Sequence, residues 1–367
     1  MLETAAIQLP DLPEELVSDI LLRLPVKSLL QFKCVCKSWK TLISDSQFAK
    51  NHLRISTSDP TMTNQQLVFS YRKPPWEIVS YPLKPLFQNP TTTAVKPVTL
   101  SYKDEKIDCI IIGSCNGLLC LLDSFPRYCV RLCNPCLRLI SKISSVPVSQ
   151  DWLIMHCGFA YDQVNDKYKV LLVVRCKKHD HQIFTKIYTF GQDDSWRTIP
   201  NLPYDIHKVF GKFVSGTLNF LLCNKNTFVS FDIEKETYME LLLPQNYGHN
   251  NDYTYRAMSV LSDCLCVSEC ENLYWVVWTM KEYGDVKSWT KFIIVSYDKL
   301  LWNRPCLVEP LFISKNGVLM VMMDDQLILY NSNNGVALDP LIVMKLGFFP
   351  HIHCDSLVSV PCLKKCN

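Results

Sequence analysis

The sequence predicts a small all-α module of three helices followed by a large all-β domain, a propeller-like ring of about six blades. Three observations predict it. Apolar residues recur at helical spacing between residues 9 and 54. From Leu67 onward, short β-branched and aromatic runs alternate with clusters of Asn, Asp, Gly and Pro. Within that region a turn-then-strand unit returns at intervals of about 50 residues, the length of one propeller blade. Residues 1–8 read as a loose end, 9–54 as compact helices, 55–66 as a polar linker holding Pro60, and 67–367 as the β domain.

The first helix follows Leu9-Pro-Asp-Leu-Pro13. Asp11 and Glu14 have capping-box spacing, and Pro13 suits a first helical turn. Glu14, Glu15 and Asp19 lie toward the positive end of the helix dipole. Leu16, Val17, Ile20, Leu21 and Leu24 form a wide apolar face, and Pro25 stops the helix. A second helix is expected from about Ser28 to Lys33. A third carries Val35, Trp39 and Leu42 at i, i+4 and i+7. So short a segment cannot bury Leu12, Leu16, Ile20, Leu21, Leu24, Leu29, Leu30, Phe32, Val35, Trp39, Leu42 and Ile43 by folding on itself. The surplus meets either a partner chain or the β domain.

The β runs cover residues 109–112, 118–122, 169–174, 183–190, 218–222, 227–232, 274–279, 291–297, 318–322 and 326–330. The repeating turns are Asn116-Gly117, Asp166-Lys167, Ser215-Gly216, Ser262-Asp263 and Asn316-Gly317. They mark five units. A sixth can be assembled from residues 67–81 and the C-terminal stretch 355–360, which closes the ring without free sheet edges. The competing arrangement is a sandwich of two packed sheets.

Composition narrows the function classes. Of 367 residues, 48% are hydrophobic and 20% charged, as in an ordinary globular chain. A net charge of +3 gives no bulk electrostatic case for nucleic-acid binding. The longest nearly apolar run, residues 109–122, is broken by Gly113, Ser114, Asn116 and Gly117, so no membrane span is expected. The start MLETAAIQLPD lacks the basic and apolar parts of a signal peptide. Eighteen cysteines sit mostly inside apolar runs, and the only Asn-x-Thr has Pro90 in its middle. A reducing compartment, cytoplasm or nucleus, is therefore expected.

Catalytic and metal motifs are sparse. Cys133-Asn-Pro-Cys136 is a lone C-x-x-C with only Cys129 near it, and Cys264, Cys266 and Cys270 make no better set. His179-Asp-His181 lies in a polar run between strands. His351, His353 and Asp355 would share one side of a strand, but no further His–Asp motif accompanies them. Neither a Walker loop nor a nucleophile elbow is present. The expectation is no metal, no cofactor and no catalytic residue.

The string LPEELVSDILLRLPVKSLLQFKCVCKSWKTLI closely resembles an F-box of the form common in plants. Its marks are Leu12-Pro13, the turn Leu24-Pro-Val-Lys-Ser-Leu29, the run Phe32-Lys-Cys-Val-Cys-Lys37, and Ser38-Trp39. The remainder is similar, more loosely, to the F-box-associated domain, as in F-box/kelch-repeat proteins. Its marks include Gly113-Ser-Cys-Asn-Gly-Leu-Leu-Cys120, Asn134-Pro135, Gly158-Phe-Ala-Tyr-Asp162, Asp166-Lys-Tyr-Lys-Val170, Ser195-Trp-Arg197 and Ser230-Phe-Asp232. The resemblance implies a non-catalytic substrate-recognition subunit of an SCF-type ubiquitin ligase. The F-box would bind a Skp-family adaptor, and through it cullin and a RING subunit. The β domain would hold an unknown protein substrate for ubiquitylation and proteasomal degradation. Leu12, Pro13, Leu16, Ile20, Leu21, Leu24, Pro25, Leu29, Phe32 and Trp39 match F-box core or adaptor-contact positions, and sequence does not sort the two. Arg23, Lys27, Lys33, Lys37 and Lys40 form a basic stretch that either is solvated or steers an acidic adaptor surface. Alternatives are an F-box protein acting outside ubiquitylation and a propeller-type enzyme. Substrate contact is expected in the segments 176–184, 245–255 and 280–288. Tyr247, Tyr253 and Tyr255 are the candidate residues, because tyrosine among Asn, Gly and His suits adaptable binding surfaces.

Overall fold

In the computed structural model the described residues are 12–59, 61–71, 77–88, 98–101, 109–123, 127–148, 151–178, 182–191, 195–202, 206, 210–223, 226–244, 256–271, 274–296, 307–323, 326–331, 336–337, 348–361 and 363–364. The chain begins with α1 (Glu14–Leu21), α2 (Val26–Phe32), α3 (Lys37–Ser44) and α4 (Ser46–Thr57). Pro13 and Pro25 stand as N-caps rather than inside the first turn, and their carbonyls accept from Val17 and Leu29. No side chain caps α1, and Asp11 lies outside the described residues. Val35 precedes α3 and is exposed, so the expected 35/39/42 stripe is not one helix face. The helical segment holds four helices, not three. Asp45 caps α4 by accepting from the Phe48 amide at 2.8 Å, a cap signal the sequence carries.

Both ends of the expected linker belong to regular elements. Residues 55–57 finish α4, and β1 (Gln65–Tyr71) has begun by residue 65. Ser56, Asn64 and Gln66 are buried despite their polarity because their side chains are hydrogen-bonded, and buried Gln65 donates its Nε2 to the Thr57 carbonyl.

Six sheets follow. Blade 1 joins β1, β2 (Glu77–Pro82) and β3 (Val98–Ser101) to β25 (Phe348–Cys354) in the order β25-β1-β2-β3. Blade 2 holds β4 (Cys109–Cys115), β5 (Leu118–Asp123), β6 (Cys129–Asn134) and β7 (Leu139–Ser141). The short β26 (Leu363–Lys364) pairs with β7, and β8 (Ser144–Ser145) with β6. Blade 3 runs from β9 (Trp152–Asp162) and β10 (Lys167–Cys176) to β11 (Ile183–Thr189) and β12 (Trp196–Ile199). Blade 4 runs from β13 (Lys212–Val214) and β14 (Thr217–Leu221) to β15 (Thr227–Asp232) and β16 (Thr237–Leu242). Blade 5 runs from β17 (Ala257–Leu261) and β18 (Cys264–Glu271) to β19 (Tyr274–Met280) and β20 (Trp289–Ser296). Blade 6 runs from β21 (Val308–Ile313) and β22 (Val318–Met323) to β23 (Gln326–Asn331) and β24 (Val336–Ala337). The inner strands β25, β4, β9, β13, β17 and β21 neighbour one another in that order and return to β25. The fold is a six-bladed propeller, not a sandwich.

The five repeating turns of the sequence are the hairpins that leave β4, β9, β13, β17 and β21. Asn116 and Gly117, Ser215 and Gly216, and Ser262 and Asp263 all have positive φ, as tight two-residue hairpins require. Ser and Asp at such positions explain how a chain with eleven glycines makes so many turns.

Ring closure differs from expectation. The closing strand is Phe348–Cys354, and residues 355–360 instead run as coil beneath blade 2. Its register with β1 shifts between Val68 and Ser70. The extra residues are Phe349, at φ 51, and Pro350, which has no amide hydrogen to give a ladder. Beyond the strand, Asn134 holds the coil. Its amide donates to the Ser356 and Val358 carbonyls at 3.1 and 2.8 Å, while its Oδ1 accepts from the Cys136 and Leu137 amides.

Gly117 and Gly216 make a controlled comparison. A Cβ on Gly117 would lie 2.1 Å from Ser356 Oγ, whereas one on Gly216 would meet nothing within 4 Å. Gly216→Ala should cost about 1 kcal/mol of positive-φ strain, and Gly117→Ala at least roughly 3 kcal/mol. Urea denaturation of both variants checks the difference.

Candidate functional site

The broad apolar face of α1 splits in two. Leu21 is buried, with Val17 and Leu24 against it, in a core shared with Val26, Leu29, Ile43, Phe48 and Ala49. Leu12, Leu16 and Ile20, spaced by four, point outward and are 60, 49 and 52% exposed. Pro13 is exposed as well, while Leu24, Pro25, Phe32 and Trp39 are half-buried. Trp39 packs on Phe32 with ring centroids 5.4 Å apart. Of the ten F-box candidates, Leu21 and Leu29 therefore fill the core and offer no outer surface. Arg23, Lys27, Lys37 and Lys40 are exposed. Burial holds the Lys33 ammonium below its usual pKa.

The module's other side is fixed to the propeller. Leu357 belongs to the helical core, and Cys136, Leu137 and Val358 pack against it. A hydrogen-bond chain crosses the junction. His52 Nε2 donates to the Leu24 carbonyl at 2.8 Å, and Ser56 Oγ donates to His52 Nδ1 at 3.4 Å. Asn64 Nδ2 donates to Ser56 Oγ at 3.0 Å, Asn64 Oδ1 accepts from the Val26 amide, and the Asn64 carbonyl accepts from the Asp355 amide at 2.7 Å. Lys50 pairs with Asp166 of the β9–β10 hairpin at 2.8 Å. Sequence reasoning named Leu24, Cys136, Asp166 and Asp355 in other roles and assigned none of these residues to a joint between module and propeller. The single advance signal was the polarity of 55–66, which reads equally as a linker.

The inner strands end at the helical module and start on the opposite face. There a cavity of 260 Å³ opens among the beginnings of β13, β17, β21 and β25. Phe210, Lys212, Asn219, Glu309, Phe349 and His351 line it. Lys212 Nζ lies 2.6 Å from Glu309 Oε1, and the Phe210 and Phe349 rings meet edge-on at 4.5 Å. His351 Nε2 faces the Ile111 carbonyl at 3.1 Å, and burial with the nearby Lys212 charge lowers its pKa to about 4. None of these was singled out as a substrate contact from sequence, because the register that gathers them is set by ring closure.

Tyr247, Tyr253 and Tyr255 lie outside the described residues, as do residues 179–181 of the segment 176–184. The segment 280–288 joins β19 to β20 on the module's face. It is pinned there: Tyr283 Oη bonds Thr217 Oγ1, Ser230 Oγ and Asn219 Oδ1 at 2.6–2.7 Å. That arrangement removes it from the opposite face, because the β19–β20 connection shares its end of the blade with the β17–β18 hairpin.

Among the described residues no helix is long and apolar enough to cross a membrane, and the described cysteines are free thiols. The class of protein so defined is a β-propeller with a helical docking module fixed to one face. Residues 9–51 match the F-box domain, and residues 76–344 match the F-box associated beta propeller domain. The chain belongs to the family of F-box proteins that carry this propeller. An F-box/kelch-repeat protein of Arabidopsis thaliana is 31% identical over 341 residues, covering 89% of each chain. A second Arabidopsis thaliana F-box protein is 28% identical, covering 93% of this chain and 87% of its own. The F-box protein CPR1 of the same plant is 26% identical over 87% of this chain and 82% of its own.

His52 is fully buried, and that desolvation lowers its pKa although the Leu24 carbonyl pulls the other way. The unfolded imidazole then takes its proton first, so the unfolded state binds more protons as pH falls below about 6.5. Stability should drop there by up to about 1.4 kcal/mol per pH unit from this group. Denaturation curves across pH should show a shallower acid slope for His52→Gln than for the wild type.

Proposed function

We propose that this chain is the substrate-recognition subunit of an SCF-type ubiquitin ligase. The observation that carries the reading is the stripe Leu12, Leu16 and Ile20: three large apolar side chains left in water on a module whose other side is already covered. The F-box match supports a Skp-family adaptor as the occupant, with cullin and a RING subunit beyond it. The exposed Arg23, Lys27, Lys37 and Lys40 of the same module suit an acidic adaptor surface, which they would attract at long range. The far face, with its aromatic and charged cavity, is where the protein substrate docks. The chain supplies no group-transfer chemistry. It raises the effective concentration of substrate near a charged ubiquitin carrier, which turns a bimolecular transfer into an intramolecular one. This work belongs in cytoplasm or nucleus, where the adaptor and proteasome operate and thiols stay reduced.

Leu16→Gln with Ile20→Gln should weaken adaptor binding at least about 100-fold, with stability changed by no more than roughly 0.5 kcal/mol. Leu21→Ala should instead destabilise the module by about 2–5 kcal/mol. Co-purification with a Skp-family adaptor, beside thermal melts, separates the two. Full binding by the double variant would remove the stripe as the interface. At the far face, Phe349→Ala should strip specific partners from affinity-purified complexes and leave adaptor binding intact. Replacing Tyr247, Tyr253 and Tyr255 by Ser in parallel tests that loop. If neither changes the partner list, the substrate docks elsewhere. Stabilisation of a captured protein on cullin inhibition distinguishes a ligase subunit from an adaptor with another role.

A further inference from the structure

Beneath the helical module, three groups from two distant parts of the chain converge. Cys136 lies in the turn between β6 and β7, His353 in the closing strand β25, and Asp355 just past that strand. One ligand atom of each lies within 4.8 Å of the others. His353 is 1% exposed, and its Nε2 has no hydrogen-bond partner. Its Nδ1 is engaged by Ser114 Oγ at 3.2 Å. The Cys136 thiol hydrogen-bonds the Asp355 carboxylate, whose Oδ2 also accepts from Gln66 Nε2 at 3.0 Å. Cys136 and Asp355 are half-buried, so an ion has a way in.

We propose that Cys136, His353 and Asp355 bind one zinc ion. The donor set argues for it. A thiolate, a neutral imidazole and a carboxylate suit a borderline-soft, tetrahedral cation, with water in the fourth position. Tetrahedral ligand atoms sit about 3.5 Å apart at zinc bond lengths, so the three need only draw in slightly. Outer partners are already in place: Ser114 engages Nδ1 of the imidazole and leaves Nε2 unpartnered, and Gln66 orients the carboxylate. An unpaired buried Nε2 is unfavourable by itself, and a metal–nitrogen bond would satisfy it. Binding replaces the thiol hydrogen with zinc and releases one proton to solvent. The lone Cys133/Cys136 pair is not the ligand set, because Cys133 faces a blade core.

The ion would cross-link blade 1 to blade 2 where Leu137, Leu357 and Val358 pack on the helices. Its role would be structural: to stiffen the joint between module and propeller. The proposal is independent of the ligase reading.

The test uses the full purified chain, stripped with a chelator and titrated with Zn²⁺, then with Co²⁺ as a spectroscopic substitute. One equivalent should bind and raise the melting temperature, and cobalt should give thiolate charge-transfer and tetrahedral d–d bands. Cys136→Ser, His353→Gln and Asp355→Asn should each weaken binding at least tenfold. Cys34→Ser with Cys36→Ser, both exposed, should leave it unchanged. Absence of a stoichiometric metal from the wild type, or equal binding by folded Cys136→Ser, overturns the site. If the ligand variants fail to fold, the wild-type cobalt spectrum decides: without a thiolate band the proposal fails.

Discussion

The pairing of β1 with β25 is the constraint on which the rest of the molecule hangs. It joins Gln65 to Cys354, residues nearly the whole chain apart, and turns six sheets into a ring without a free inner edge. It also sets where each end of the chain lies. The strand that leaves the helices and the strand that precedes the terminal coil are neighbours, so both stretches emerge on one face. That face receives the module. The coil 355–358 then supplies Leu357 to the helical core, and Asn64 ties the Asp355 amide to the same joint. A break in this pairing would open the ring and undercut the module together.

The joint gives the two working faces a fixed separation. A flexible connection would let module and propeller explore many orientations, and under the proposed ligase role would dilute the substrate around the adaptor. Here the His52–Ser56–Asn64 chain, the shared apolar core and the Lys50–Asp166 pair hold one orientation. Cohesion within the ring is of a similar kind. Buried Lys169 meets Asp162 of its own blade, and Glu236 and the Ile233 carbonyl of the next. The charges are tolerable because each is paired and hydrogen-bonded.

Local chemistry was legible in the sequence and long-range register was not. The Asn-Gly, Ser-Gly and Ser-Asp turns announce themselves, since few residues accept positive φ. The Asp162 and Lys169 marks were visible too, but their reason, a tie between blades, was not. The face of α1 looked continuous because Leu16 and Val17, or Ile20 and Leu21, are adjacent in sequence. Only packing shows that 17, 21 and 24 turn inward and 12, 16 and 20 outward. The closing strand was placed some residues late. The bulge at Phe349-Pro350 disrupts alternation, and 355–360 alternates well enough to imitate a strand. Polar 55–66 misled for the opposite reason: hydrogen bonding can bury polar residues that composition assigns to solvent.

The order in which a ribosome releases this chain follows from the closing strand. The helices emerge first, yet their core waits for Leu357. Blade 1 likewise emerges early with the inner edge of β1 unpaired, and β25 arrives only after the other five blades. Through most of synthesis the nascent chain therefore exposes a bare sheet edge and an incomplete hydrophobic core, both of which invite association with other chains. A messenger truncated before the codons for Phe348–Cys354 would yield a product permanently in that state, suited to clearance by quality control rather than to partial function.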